Sequence, residues 1–283
     1  MPTPPPLIPL DRFAPVFEPL RGRSVGFLAM YGSAGDRLLD AAAHRLLEAF
    51  EVDHIDLAWR ETTSDIADVD NELVAGVDEI VAAGGGNLGG LYPRCRLLRE
   101  HYLGLGKPMT ILPQSITGPG EDLSRFQRVY LRERASLSLF PQGMLAPDLA
   151  LALAPSESTG SRDFPLGAFL RVGKEALFAG SPLSLADPAQ CCESYSDYFA
   201  LAGRFEKVVT DRLHFAIAAM LVGTQVELLP VAYHKNRAMF ETWLKDLGCG
   251  WRDDLSRIGY DKQPIEAALG GRLSIKVNLG RAL

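Results

Sequence analysis

The sequence predicts an α/β protein made of two parallel-sheet halves that face each other across a cleft. The chain has 283 residues, about twice the length of a typical single domain. In both halves, short apolar runs alternate with amphipathic segments of helical period, which is the pattern of βαβ units. The polar segment 155–162, rich in Ser and Gly, separates them. The predicted domains are therefore residues 1–155 and residues 156–283.

The first half begins with a proline-rich arm at residues 1–20, which we predict to lie extended on the surface, because closely spaced prolines exclude a regular helix. Residues 24–30 predict a buried strand, and apolar residues then recur at helical spacing from Leu38 to Phe50. The other predicted strands lie at 52–57, 79–83, 109–112, 129–131 and 147–151, and the other predicted helices at 94–103 and 134–139.

The second half contains one well-defined βαβ unit. Residues 207–210 and 226–229 predict strands, and residues 211–222 predict the helix between them. A final helix is expected at residues 237–247, with Phe240, Trp243 and Leu244 on one face.

Composition excludes several classes of protein. The net charge is −6 and no Lys/Arg run is present, whereas a general nucleic-acid-binding protein normally presents a basic face. No apolar stretch approaches the roughly 18–20 residues that span a bilayer, and the N-terminus lacks the features of a signal peptide. The four cysteines form no CxxC pair and have no zinc-like spacing. We therefore expect a bacterial-type cytoplasmic protein with reduced thiols, no metal and no integral membrane segment.

A glycine-rich turn follows the predicted strand at 79–83. Its sequence, GGGNLG from Gly84 to Gly89, satisfies the GxGxxG fingerprint of dinucleotide-binding proteins. That fingerprint also needs an acidic residue after the next strand to hold a ribose hydroxyl, and residues 101–120 contain neither Asp nor Glu. The sequence therefore argues against NAD. The glycines then allow either a ligand or a neighbouring element to approach the backbone closely.

A second turn, Thr210-Asp211-Arg212-Leu213-His214, joins a predicted strand to a predicted helix. With Thr210 or Asp211 as the N-cap, Arg212 and His214 fall in the first helical turn and converge only on a ligand at the helix end. A helix N-terminus favours an anion, an arginine binds carboxylate or phosphate through two parallel hydrogen bonds, and a histidine donates a proton near neutral pH. The alternative is an arginine that caps a loop and a histidine at the edge of the core.

Other polar residues allow two interpretations each. Arg132 and Arg134 either face the cleft or pair with surface acids, while Arg171 and Lys235 follow strands and are either ligand-binding or solvated charges. Asp36 either accepts a substrate hydroxyl or caps the helix that begins near Leu38. The remaining histidines, His44, His54 and His101, have no evident partner and are interpreted as structural.

Several of these motifs, in this order, resemble the polysaccharide pyruvyl transferase family over most of the chain. The strongest are VDEIVAAGGGNLGGLYP with ILPQS, residues 77–115, and VVTDRLHFAIAAMLVG with the later Lys235 and its aromatic helix, residues 208–243. Weaker matches are the Gly35-Asp36 turn, RERAS at 132–136, PDL at 147–149 and FLRVGKE at 169–175.

The resemblance implies two Rossmann-like domains, similar to the two-domain GT-B type of glycosyltransferase. It implies phosphoenolpyruvate as the donor, a saccharide of a polysaccharide or its precursor as the acceptor, and no metal or other cofactor. Arg212, Leu213 and His214 would lie at the donor with Lys235 close by, His214 as the acid, and Arg132 or Arg134 would complete the clamp. Gly85, Gly86, Asn87 and Asp36 would line the acceptor side.

The chain departs from the family at Gly90, where other members often carry an acidic residue, which points to an altered acceptor or a different role. Two rival functions stay open: a nucleotide-sugar-dependent glycosyltransferase of the same fold, and a non-catalytic sugar-binding relative, which Gly90 favours. A lipid-linked acceptor would bring the chain to the inner face of the membrane without an anchor of its own.

Overall fold

The computed structural model describes residues 5–29, 32–57, 71–154 and 161–270, and these form two compact units. The first unit holds the described residues up to 32 and those from 38 to 154, and the second holds Ser33–Arg37 and the described residues from 161 onward. Most of the predicted linker at 155–162 lies outside the described residues. Both units are α/β and each is built on a parallel sheet, as the sequence predicts.

The first unit contains a seven-stranded sheet in the order β2-β1-β3-β5-β6-β7, with β4 paired to β5. Every pairing is parallel. The central strands β3 and β5 are buried along their whole length, as expected of strands covered on both faces. The strands are β1 (Ser24–Leu28), β2 (Asp53–Leu57), β3 (Glu79–Ala82), β4 (Gly85–Leu88), β5 (Met109–Ile116), β6 (Arg128–Leu131) and β7 (Met144–Leu145).

Helices of the first unit are α1 (Ala14–Phe17), α2 (Ala34–Ala49), α3 (Asn71–Ala75), α4 (Pro93–Gly104) and α5 (Arg134–Leu139). The apolar stripe predicted between Leu38 and Phe50 lies on α2, where Leu38, Leu46 and Leu47 are fully buried. The helix begins at Ala34, four residues before the predicted start.

Two predictions for the first unit are wrong. Residues 10–20 are not extended: they form the 3₁₀ turn Leu10–Phe13, then α1, then the 3₁₀ turn Glu18–Leu20, and they bury Phe13, Phe17 and Leu20. The prolines there occupy the first turns, where a missing N–H costs nothing. The predicted strand at 147–151 is instead the 3₁₀ turn Leu149–Ala152, because the Asp148 carboxylate caps it by accepting from the Ala150 amide at 3.0 Å.

The second unit contains a four-stranded parallel sheet in the order β11-β10-β9-β8. Its predicted βαβ unit is confirmed as β9 (Phe205–Thr210), α8 (Leu213–Leu221) and β10 (Gln225–Leu228). The predicted helix at 237–247 begins earlier, as α9, and continues as the π-helical turn Phe240–Leu244. The strands are β8 (Phe164–Phe169), β9 (Phe205–Thr210), β10 (Gln225–Leu228) and β11 (Gly250–Trp251), and the helices are α6 (Pro188–Cys191), α7 (Tyr195–Ala202), α8 (Leu213–Leu221), α9 (Lys235–Met239) and α10 (Lys262–Leu269).

The described residues lack three features. None of their helices combines the length and the apolar character needed to cross a membrane. The same residues contain no group of three or more His, Cys, Asp or Glu side chains that could hold a metal ion, and their cysteines form no disulfide.

Candidate active site

Charged side chains of the second unit gather at the carboxyl ends of β8, β9 and β10. Arg171 follows β8, Asp211 and Arg212 follow β9, and Lys235 opens the helix that follows β10. Parallel strands direct their carboxyl ends to one edge of the sheet, and open α/β sheets bind ligands at that edge. The three cations therefore share one edge because of the strand order.

The turn after β9 is fixed by its own polar residues. Thr210 Oγ1 donates to the Phe169 carbonyl at 2.6 Å and accepts from the Arg212 amide at 3.1 Å. Asp211 Oδ1 accepts from the Arg171 amide at 2.7 Å. Because both side chains are engaged in this way, neither caps α8 as the sequence suggested. Arg212 is the N-cap residue instead, and the helix begins at Leu213.

Asp187 determines the direction of Arg212. Its carboxylate accepts from Nε of Arg212 at 2.8 Å and from Nη2 at 2.5 Å. It also accepts from the amides of Val172 at 2.8 Å and Ala189 at 3.0 Å, so the carboxylate is itself held rigidly. Although burial opposes its charge, the hydrogen-bonded Asp187 raises the pKa of Arg212 further above its usual value. Nη1 makes no hydrogen bond with any described residue, and the Arg212 side chain is 20% exposed.

A second carboxylate, Glu175, holds the other two cations. It accepts from Arg171 and, at 2.5 Å, from Nζ of Lys235, which also lies 5.2 Å from the centroid of the Tyr233 ring. Arg171 and Lys235 are 6% and 7% exposed. The interpretation of these two residues as solvated charges is therefore wrong: both are buried, and both point inward at the same acid.

Asn236 joins this lysine segment to the turn after β9. Its Nδ2 donates to the carbonyls of Asp211 and Leu229, both at 2.8 Å, and the side chain is fully buried. The start of α9 is thereby tied to the ends of β9 and β10.

Three enclosed polar atoms at this edge have no hydrogen-bond partner within the described part of the chain: Arg171 Nε, Asp211 Oδ2 and Asn236 Oδ1. Native structures rarely leave such atoms unpaired, and clusters of them mark places where water or a ligand binds. Burial raises the pKa of Asp211 to about 6.

His214 is the second residue of α8 and lies against Gly35 of the same compact unit. A Cβ atom on Gly35 would be 3.0 Å from Nδ1 of His214 and 3.1 Å from its Cβ. Glycine at this position leaves the space that the imidazole occupies. Leu213 is 3% exposed, so it presents only its backbone to the helix end.

Asp36 lies in the first turn of α2, within the segment that groups with the second unit. Its carboxylate accepts from the Ser33 amide at 2.7 Å and from Ser33 Oγ at 3.1 Å. The structure thus shows Asp36 as a capping residue of α2, and this helix starts earlier than predicted. Its place on the acceptor side stays a prediction.

The two arginines predicted to complete the clamp belong to the first unit and differ from each other. Arg132 is 1% exposed; its Nη1 bonds Asp148 at 2.7 Å and its Nε bonds Ser115 Oγ at 2.8 Å. Asp148 is itself fully buried, so Arg132 does not pair with a surface acid. Arg134 is exposed at the start of α5. Contact of either with a donor stays a prediction.

The glycine-rich segment is a strand, β4, and not a turn into a helix, since α4 starts only at Pro93. In the dinucleotide fingerprint the glycine turn opens a helix directly, which is not the arrangement here. Several of its glycines are packed against backbone: a Cβ atom would lie 2.8 Å from the Pro113 oxygen at Gly84, and 2.3 Å from the Gly118 oxygen at Gly89. Close packing thus accounts for these two positions.

Asn87 belongs to a buried polar network in the same segment. Its Oδ1 accepts from Nη1 of Arg99 at 2.7 Å and from Nε2 of Gln114 at 3.1 Å. Arg99 also bonds Glu121, which accepts from the Gly89 amide at 3.0 Å. Gly85 and Gly86 complete the strand, and an acceptor role for these three residues stays a prediction. Gly90 faces the Pro119 oxygen, 2.6 Å from where its Cβ would lie, so an acidic side chain there requires a different neighbouring loop.

Sequence reasoning assigned no role in the site to four residues that shape it: Gly35, Glu175, Asp187 and Asn236. Glu175 lies 60 positions from Lys235, and Asp187 lies 25 positions from Arg212. No periodicity of the sequence links residues so far apart. An Asp-Pro pair at Asp187 indicates a helix start, which the structure contains as α6, but does not identify the arginine it holds.

Fold and site together define an α/β protein with three cationic side chains at the carboxyl edge of its second sheet. Residues 34–229 match the polysaccharide pyruvyl transferase family, so the chain belongs to that family of transferases, and the resemblance inferred from its motifs is confirmed. A protein of Bacillus subtilis (strain 168) named "Putative pyruvyl transferase EpsO" is 26% identical, in an alignment that covers 76% of this chain and 83% of that protein.

A solved structure has a similar fold. It is that of a functionally uncharacterized protein from Klebsiella pneumoniae subsp. pneumoniae NTUH-K2044, with a TM-score of 0.63 and 19% identity over 83% of this chain and 94% of that one. At this identity the likeness concerns the fold alone.

Proposed function

We propose that the protein transfers the pyruvyl group of phosphoenolpyruvate to a saccharide as a ketal, with release of phosphate. The observation that carries the proposal is the set of three inward-held cations, Arg171, Arg212 and Lys235, at the carboxyl edge of the second sheet. Membership of the family supports the reaction class and the saccharide acceptor.

Phosphoenolpyruvate carries a phosphate and a carboxylate, and the cation set suits two such anions. Arg212 can use its Nη1 edge for one group, and Arg171 with Lys235 can hold the other. The first amides of α8 add donors of the kind that bind anions at helix N-termini. Because Asp187 and Glu175 already hold the cations in place, little orientation has to be gained when the donor binds.

The chemistry assigns His214 the role of acid. A proton added to the methylene carbon of the donor leaves an oxocarbenium-like centre at the neighbouring carbon, which one sugar hydroxyl attacks. Loss of phosphate then regenerates such a centre, and the second hydroxyl closes the ketal. Each hydroxyl releases its proton, and the cations stabilise the phosphate as its C–O bond breaks. The reaction so drawn includes no metal or cofactor.

The acceptor in this proposal is a saccharide of a polysaccharide or its precursor. A lipid-linked precursor would bring the protein to a membrane surface through its substrate.

The proposal is tested by thermal unfolding with phosphoenolpyruvate. At 100 times the dissociation constant, a ligand adds about 2.7 kcal/mol to the stability of the folded state, which raises the melting temperature by several degrees. Arg212→Ala should lose most of this shift. Arg204→Ala is the matched control, because Arg204 forms a comparable pair with Asp163 on the surface of the same unit.

Two results would contradict the proposal. A shift caused by a nucleotide sugar and not by phosphoenolpyruvate would favour a glycosyltransferase. A shift caused by free saccharides alone would favour a non-catalytic sugar-binding protein.

A further inference from the structure

The charges at the candidate site cancel when every group is ionised. Three cations, Arg171, Arg212 and Lys235, lie with three carboxylates, Glu175, Asp187 and Asp211. A donor with a phosphate and a carboxylate adds at least two negative charges to this balanced set. One of the buried carboxylates must then lie close to an anion whose charge these six groups do not compensate.

Asp211 differs from the other two carboxylates. Glu175 and Asp187 both accept hydrogen bonds from cationic side chains, whereas Asp211 accepts a backbone amide through Oδ1 and leaves Oδ2 enclosed and without a partner among the described residues. The side chain is completely buried. An enclosed oxygen without a donor is poorly compensated when charged and well suited to carry a proton.

The charged groups around Asp211 act in opposite directions. Burial raises its pKa to about 6, the backbone amide of Arg171 and the charges of Arg171 and Arg212 lower it, and the charge of Asp187 raises it. Near neutral pH the group is therefore mainly ionised, but only by a small margin. An added anion beside the two arginines would reverse that balance.

We propose that Asp211 takes up one proton from solvent when an anionic, phosphorylated donor binds to Arg171, Arg212 and Lys235. With Asp211 protonated, the three cations and the two remaining carboxylates carry one net positive charge, which favours the anionic donor. Protonation also removes the repulsion between the Asp211 carboxylate and the bound anion. Asp211 is thus a positioning residue that couples donor binding to pH. The inference rests on the proposed function for the identity of the donor.

The test is isothermal titration calorimetry with phosphoenolpyruvate at pH 7.5 in Pipes and in Tris, whose different ionisation enthalpies reveal the number of protons taken up. The parent should take up roughly 0.5 to 1 proton more per bound donor than Asp211→Asn. Asn keeps an oxygen for the Arg171 amide but has no titratable group. Asp253→Asn, at an aspartate whose side chain is 84% exposed, serves as the matched control and should behave as the parent.

His214→Ala separates the two groups that could bind a proton. The Asp211-dependent uptake should persist in this variant, whereas a loss of all uptake in His214→Ala and none in Asp211→Asn would overturn the inference. Equal uptake by the parent and by Asp211→Asn, with binding intact in both, would overturn it as well and would leave the proposed donor standing.

A second measurement covers the case in which Asp211→Asn fails to fold. Between pH 7.5 and 8.5 a phosphate monoester is already fully ionised, so the parent's dissociation constant should rise by roughly three- to tenfold if Asp211 must gain a proton on binding. A dissociation constant that does not change over this range would refute the uptake. If the parent does not bind phosphoenolpyruvate at all, the proposed function fails and the inference fails with it.

Discussion

At the scale of single residues, two carboxylates orient the cations of the candidate site. Asp187 accepts hydrogen bonds from two of the three guanidinium nitrogens of Arg212, Nε and Nη2. Glu175 accepts from both Arg171 and Lys235. A buried carboxylate that is itself fixed by backbone amides makes a rigid partner for an arginine. The affinity for an anion should therefore depend on residues that do not touch it.

Replacing Asp187 by Asn is expected to weaken donor binding. Arg212 would keep its charge but lose the partner that orients it. The lost orientation outweighs the removal of one negative charge from the site, and we expect the dissociation constant for phosphoenolpyruvate to rise by roughly tenfold. Calorimetric titration measures it, and Asp163→Asn, which removes the exposed partner of Arg204, is the control. An unchanged dissociation constant in Asp187→Asn would show that Arg212 needs no such support.

The buried Asp211 should affect stability in a defined pH window. Its pKa is about 6 because of burial, above the value near 3.9 of an unfolded chain. The folded state then binds more protons between these values, so ionisation of Asp211 lowers stability progressively from about pH 4 to pH 6, and the loss stays constant above. Asp211→Asn should gain up to about 3 kcal/mol relative to the parent across this window in urea unfolding. A parent–variant difference that is the same at pH 4 and pH 7 would contradict this account.

At the scale of elements, the strand order of the second sheet brings three loops to one edge. The β9-α8-β10 unit was predicted from apolar periodicity, and with it the placement of Arg212 and His214 at a strand's carboxyl end. The N-cap was not predicted correctly, because Thr210 and Asp211 bond across to the Phe169 carbonyl and the Arg171 amide, contacts that only the folded sheet creates.

Gly89, the residue that follows β4 in the first unit, provides a test of packing against ligand contact as the reason for a glycine. Gly89 has φ +104° and its Cβ would lie 2.3 Å from a backbone oxygen, so Gly89→Ala should destabilise the protein by at least about 2 kcal/mol in urea unfolding. Gly104→Ala, at the end of α4 with open space around it, should be neutral or stabilising by up to about 1 kcal/mol. Equal stability of the two variants would mean that packing does not explain Gly89.

At the scale of the whole molecule, an acidic chain brings three cationic side chains, each with a carboxylate partner, to one edge of a sheet. The net charge is −6, yet Arg171, Arg212 and Lys235 meet at one sheet edge. The sequence predicted the α/β class, most strands of the first sheet and the polar turn after β9. It could not predict the acids that orient the cations, because Glu175 and Asp187 are linked to their partners only by tertiary contact. The prediction of an extended proline-rich arm was wrong for a similar reason. Burial of Phe13 and Phe17 against the rest of the unit outweighs the local preference of prolines for an extended chain.

The central claim, transfer of a pyruvyl group from phosphoenolpyruvate with His214 as acid, is tested most directly by following donor carbon and phosphate together. The purified protein is incubated with phosphoenolpyruvate labelled with ¹³C at the carbon that bears the phosphate, and with a panel of saccharides. We expect one phosphate released for each ketal carbon seen by NMR, and a loss of roughly 10²- to 10⁴-fold in rate for His214→Ala while the fold is retained. Phosphate release without a ketal, or a His214→Ala rate equal to the parent's, would contradict the account.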